Sequence, residues 1–377
     1  MPATKILTAI LVISAITIGN AAFQTGNLLG ASMGLETLFS SGAHTGSGTL
    51  TDSGSTAASG TLFTSQTLTL RFWVALTAAT AFLLLLAGSY KLMERVLVAL
   101  VIIMSLTFLT TAIIVAPELP ALLKGMFVPS IPRGAVLTLV GLIGTTVVPY
   151  NLFLHASAVQ ERWQSPSDLP AARWDISVSM ILGGVISMAV IVTASAAFFG
   201  AGPESGIIAG AGNAAGAGTA AGAGTGAVIA SGADLARQLE PLAGRWAKYI
   251  ISIGLFAAGI SSSITAPMAA AYATAGIMGW KRDLRSWRFR MVWMFILLAG
   301  VLFAMLGFKP VEAILFAQVA NGILLPVIAV YLLVVMNSRK IMGDNVNTLL
   351  SNILGGIVVL IAMGLGLRSI LHVIGII

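Results

Sequence analysis

Nine apolar runs divide this chain, at about 5–39, 71–89, 93–116, 134–158, 176–200, 242–278, 289–307, 311–336 and 347–371. A helix rising about 1.5 Å per residue needs about 20 apolar residues to cross about 30 Å of hydrocarbon, and each run has that length or more. In lipid every backbone N–H and C=O must be satisfied within the protein, so runs of this kind are helices. The expected fold is therefore all-α and integral to a membrane, a single polytopic domain over 1–377 with about nine transmembrane helices. Two low-complexity segments interrupt it, Ser/Thr/Gly-rich at about 40–66 and Gly/Ala-rich at about 201–234. Both have too few large apolar side chains to pack and are expected to be external, flexible loops.

Charge is scarce and lopsided. Charged residues make up 9% of the chain, against about 25% in a soluble domain. The 20 Lys and Arg against 13 Asp and Glu leave a net +7, but they sit in short connections with no aromatic-interleaved basic face, so they read as topology and exclude a nucleic-acid partner. One alternate set of connections holds Lys91, Arg95, Arg162, Arg173, the stretch KRDLRSWRFR at 281–290, Arg339 and Lys340; the other holds only Lys124, Arg133, Arg237 and Lys309. Lys and Arg collect on the cytoplasmic side, which places the N-terminus inside and the C-terminus outside. A secretory signal after Lys5 is the alternative, but signal cores are shorter and this run carries on through Asn20 and Gln24.

With no cysteine, a metal can be held only by oxygen, nitrogen or thioether. The three histidines, at 44, 155 and 372, stand apart, and the spans hold no acidic cluster. No nucleophile, base and orienter can be assembled from them, so an enzyme is not expected.

One span is unlike the rest. The segment GTTVVPYNLFLHASAV at 144–159 sets Pro149, Tyr150, Asn151 and His155 into apolar surroundings. Proline removes a helix hydrogen bond and clashes with the carbonyl one turn back, here that of Thr145. A simple kink is one reading. The favoured one is a substrate site, because broken helices flanked by small polar residues are how carriers offer oxygens to ions, and Thr145, Thr146 and Asn151 flank this break. His155 is open between a proton relay and a neutral imidazole bonded to a carbonyl. Gln318 and Asn321 lie three apart on one helix face before Pro326, and either line a cavity or join helix to helix. The small-residue run AAGISSSITAPMAAAYATAGIMG at 257–279 permits close backbone contact and reads as packing.

Several long blocks in order, SYKLMERVLVAL, VVPYNLFLHASAVQERW, GLFAAGISSSITAPMAAAYATAGIMGW and FAQVANGILLPVIAVYLL, resemble the natural resistance-associated macrophage protein family of divalent metal transporters. The resemblance covers nearly all of the chain outside the two low-complexity segments. It implies a LeuT-like fold of two inverted five-helix repeats, with the metal as substrate at breaks in the first and sixth helices, no other cofactor, and a bacterial inner membrane as the setting. The span at 134–158 looks like the sixth helix and the run at 5–39 like the third. No Asp-Pro-Gly-Asn motif of the first helix occurs, so the resemblance implies a member lacking its first two helices, with a non-functional fragment as the alternative.

Residue by residue, the family's Met-Pro-His of the sixth helix corresponds here to Val148, Pro149 and Tyr150, with Thr145 at the carbonyl position. Thr145, Val148, Asn151 and Gln318 thereby stand at the metal, Pro149, Tyr150 and Asn321 along the substrate path, and His155 matches a histidine associated with proton movement. Gln24 and Asn27 stand where the third helix carries proton-path acids. Amides do not carry protons as carboxylates do, and without a thioether discrimination against hard ions weakens. The pattern is closest to the magnesium-related branch. The implied function is alternating-access movement of Mg, Mn or Fe class divalent cations, weakly or not proton-coupled. A cation-coupled amino-acid carrier of the same architecture is the runner-up. The oligomeric state is left open.

Overall fold

The computed structural model describes residues 3–39, 65–115, 119–128, 149–163, 165–199, 243–281, 283–306 and 329–373, with the single positions 236, 239, 240 and 327. Among the described residues, the regular elements are all helical. They are α1 (Ala3–Phe39), α2 (Ser65–Leu86), α3 (Tyr90–Val115), α4 (Leu119–Phe127), α5 (Pro149–Arg162), α6 (Leu169–Phe199), α7 (Trp246–Met278), α8 (Trp287–Met305), the short α9 (Arg339–Met342) and α10 (Leu349–Val373). Among the described residues, five segments, Thr69–Leu86, Tyr90–Ile114, Leu169–Ala194, Trp246–Met278 and Trp287–Met305, are long and apolar enough to cross a membrane. Of the nine expected spans, the run at 134–158 is described only from Pro149 and most of 311–336 lies outside the described residues, as do the low-complexity segments apart from Ser65 and Gln66.

Some boundaries depart from expectation. SYKLMER reads in sequence as a tight turn, yet Tyr90–Arg95 already form the first turns of α3. The reversal sits earlier, at Gly88, whose φ of 60° is the left-handed conformation glycine adopts without a steric penalty. Ser89 then caps α3: its Oγ accepts from Leu92 N at 3.4 Å and its carbonyl from Met93 N at 3.0 Å. Similarly α6 begins at Leu169 rather than about 176, launched by a 3-10 turn at Pro166–Asp168 in which the Asp168 carboxylate accepts from Ser165 N at 3.2 Å. The nine-residue α4 was not foreseen and is too short to span a bilayer.

Among the described residues, the centre of the bundle is the pair α1 and α7, the most extensively packed of the helix pairs. Gly34 lies against Phe256 and the Ser252 carbonyl, Gly259 against the Ala31 backbone, and Gln24 against Ser263, an opposite order that makes the two helices antiparallel. A methyl group at 259 would run into Ala31. In lipid no hydrophobic force draws helices together, so such small-residue contact carries the packing. The run at 257–279 thus does what its composition suggests, with Ala266, Ala269, Ala270 and Ala275 all at 0% exposure. Beside this pair, Leu28, Met93, Ile260, Tyr272, Phe289, Trp293 and Leu297 form one cluster drawn from α1, α3, α7 and α8. Two edge-to-face ring pairs lock it, Tyr272 with Phe289 at 5.0 Å and Phe82 with Trp293 at 5.4 Å. Outer faces carry exposed Leu83, Ile113, Ile181 and Leu360, as lipid-facing helices do.

The α2–α3 turn and the α7–α8 connection lie at the same end. Arg290 Nη2 donates to the Leu86 carbonyl at 3.2 Å, capping α2, and the Arg285 side chain packs on Gly88. Two of the basic connections assigned to one side of the membrane therefore meet.

Candidate functional site

Among the described residues, the segment after the expected break is helical from Pro149 to Arg162. Asn151 follows in the first turn and His155 one turn later; both are exposed and share a face. The adjoining face seats the helix, with Ser157 buried and Leu154 packed on the α7 clusters around Met268 and around Ala266 and Ala269. Between α3, α5 and α7 this leaves a cavity of about 180 Å³ lined by Tyr90, Met93, Glu94, Leu97, Val98, Leu154, Ala158, Thr265, Met268 and Tyr272. It is an apolar space with Glu94 as its charged member, and it lies beside the face bearing Asn151 and His155 rather than beneath it.

Thr145, Val148, Gln318 and Asn321 lie outside the described residues, and of Pro149 and Tyr150 only the backbone is described. Among the described residues no three His, Cys, Asp or Glu side chains gather to hold a metal.

Sequence reasoning named Asn20, Gln24 and Asn27 but missed what Gln24 touches. Gln24, at 0% exposure, reaches across from α1 and donates through Nε2 to the Ser263 carbonyl of α7 at 3.1 Å. Asn20, one turn earlier, and Ser263 are equally buried. The spacing 20, 24 and 27 of three amides on one helix face was the available signal.

Against this geometry the comparisons are specific. A family description, "Natural resistance-associated macrophage protein-like", matches residues 2–372. The chain belongs to that family. The divalent metal cation transporter MntH of Klebsiella pneumoniae (strain 342) is 28% identical over 301 residues, covering 77% of this chain and 65% of the relative. Its counterpart in Yersinia enterocolitica is 28% identical over 295 residues with the same coverage. The chain thus spans slightly less than two thirds of the length of these relatives. Among solved structures, a manganese transporter of Eremococcus coleocola bound to an aromatic bis-isothiourea compound superposes with a TM-score of 0.63 at 21% identity, over 96% of this chain and 71% of that one. A mutant of the same transporter gives 0.62 at 20%. The fold is that of these membrane transporters, and the relatives are carriers of metal ions, not enzymes.

Proposed function

We propose that this chain moves divalent metal cations across the membrane by alternating access at the break of residues 145–151. The observation that carries the reading is the family match over residues 2–372, with Asn151 exposed on the helix Pro149–Arg162. The relatives named as divalent metal cation transporters and as a manganese transporter support the substrate class. The cation, keeping part of its water, is held by the Thr145 carbonyl, the Asn151 amide and Gln318, with Val148 in the position of a softer ligand. Oxygen and water suit magnesium as well as manganese, so selection for manganese is weak, as in the magnesium-related branch.

Pro149, Tyr150 and Asn321 lie along the substrate path, and His155 along any proton path. Gln24 and Asn27 put amides where the resemblance places the proton-path acids of α1, so uptake proceeds with little or no proton coupling. Entry into a cytoplasm that is electrically negative is driven by about 2.3 kcal/mol per charge per 100 mV. The N-terminus lies inside and the C-terminus outside, following the basic connections.

Competition in uptake tests the assignment. Radiolabelled manganese entering vesicles that contain the protein should be displaced by unlabelled magnesium and manganese and left unchanged by amino acids. Amino-acid uptake indifferent to divalent ions would replace this reading with that of an amino-acid carrier.

A further inference from the structure

Pro267 lies inside α7. Its nitrogen carries no hydrogen, so the carbonyl of Ser263, one turn earlier, has no helical donor. Gln24 Nε2 takes that role from α1 at 3.1 Å, and this bond fixes which way round the amide stands. It also turns Gln24 Oε1 toward a place where nothing donates to it: the oxygen is buried and unpartnered. The same holds for Ser263 Oγ, for both Nδ2 and Oδ1 of Asn20, and for Nδ2 of Asn27. Asn20, Gln24 and Ser263 are 1%, 0% and 0% exposed, so bulk solvent does not satisfy them. Left bare, each such group destabilises the fold.

The chemistry of these orphan atoms selects the occupant. Gln24 Oε1 and Asn20 Oδ1 only accept; Asn20 Nδ2 and Asn27 Nδ2 only donate; Ser263 Oγ does both. A bare cation serves the acceptors and repels the amide hydrogens, and an anion does the reverse. Water serves both kinds, and buried water typically makes about three hydrogen bonds to groups of this sort. Room is tight: Gly300 of α8 backs directly onto the Gln24 side chain, where any Cβ would collide with it. Only a small molecule fits.

We propose that the seam at Pro267 is a built hydration site, in which water is held by Gln24 Oε1, Ser263 Oγ and the Asn20 amide between α1, α7 and α8. The Gln24 bond satisfies the carbonyl that Pro267 frees, and the water satisfies the side-chain atoms left around it, as polar groups deep in a lipid-embedded bundle require; it does so among neutral groups, holding water without holding charge. It stands independently of the metal reading.

Radiolytic footprinting of the purified protein tests it, because X-ray pulses split bound water in place and oxidise the side chains beside it. Phe23, next to Gln24, is the reporter, and buried Trp293 in the apolar cluster is the dry control. Phe23 should be oxidised several-fold faster than Trp293, and the Asn20→Leu/Gln24→Leu variant should bring it down to the control level. Equal rates at Phe23 and Trp293 in the natural protein, or a Phe23 rate unchanged in the variant, overturn the proposal. Should the variant fail to fold, a high-resolution structure of the natural protein decides: ordered density within hydrogen-bond distance of Gln24 Oε1 and Ser263 Oγ supports the site, and a dry seam refutes it.

Discussion

At the scale of single residues the account turns on the side chains around Pro149. Asn151 stands exposed in the first turn of α5, where its amide oxygen is free to join an ion. Asn151→Ala should raise the metal concentration for half-maximal uptake about tenfold, equivalent to about 1.4 kcal/mol; unchanged uptake would remove Asn151 from the site. Val148→Met supplies a thioether, and the manganese to magnesium uptake ratio should rise, since sulfur favours softer metals. These residues were legible in sequence because a proline, an amide and an imidazole are conspicuous in an apolar run. The bond from Gln24 to the Ser263 carbonyl was not legible. Its partners are 239 positions apart, and only the antiparallel register of α1 on α7 brings them together. Pro267 was visible, but the run around it reads first as a stripe of small residues.

At the scale of elements, close packing and turn geometry take over. Gly259→Val would drive a branched side chain into the Ala31 backbone and should lower unfolding stability by about 1–3 kcal/mol, as overpacking does. A thermal unfolding midpoint equal to that of the natural protein would show that α1 and α7 do not pack through this contact. Gly88→Ala places a Cβ at a φ of 60° and should cost about 1–2 kcal/mol. That turn shows why helix existence was easier to read than helix ends. Span length is set by bilayer thickness and survives any local detail, whereas the boundary depended on one glycine and on the Ser89 cap. The residues after it, Lys91 to Arg95, looked like a polar turn but are good helix formers. The short α4 gave no span-length signal at all.

Among the described residues, the whole molecule has an antiparallel α1–α7 core, braced by α8 through Trp293 and Phe289, with α5 seated on its flank through Leu154. The proposed alternating access would move a segment of this kind against such a core. Because the proposed cargo is doubly charged and amides stand at positions 24 and 27 of α1, transport should follow voltage more closely than proton gradient. The most direct measurement is uptake of radiolabelled manganese by vesicles containing the protein, with membrane potential and pH gradient set separately. The account predicts saturable uptake that rises with an inside-negative potential, changes little with the proton gradient and weakens in Asn151→Ala. Uptake no greater than in protein-free vesicles, under any potential, would contradict it.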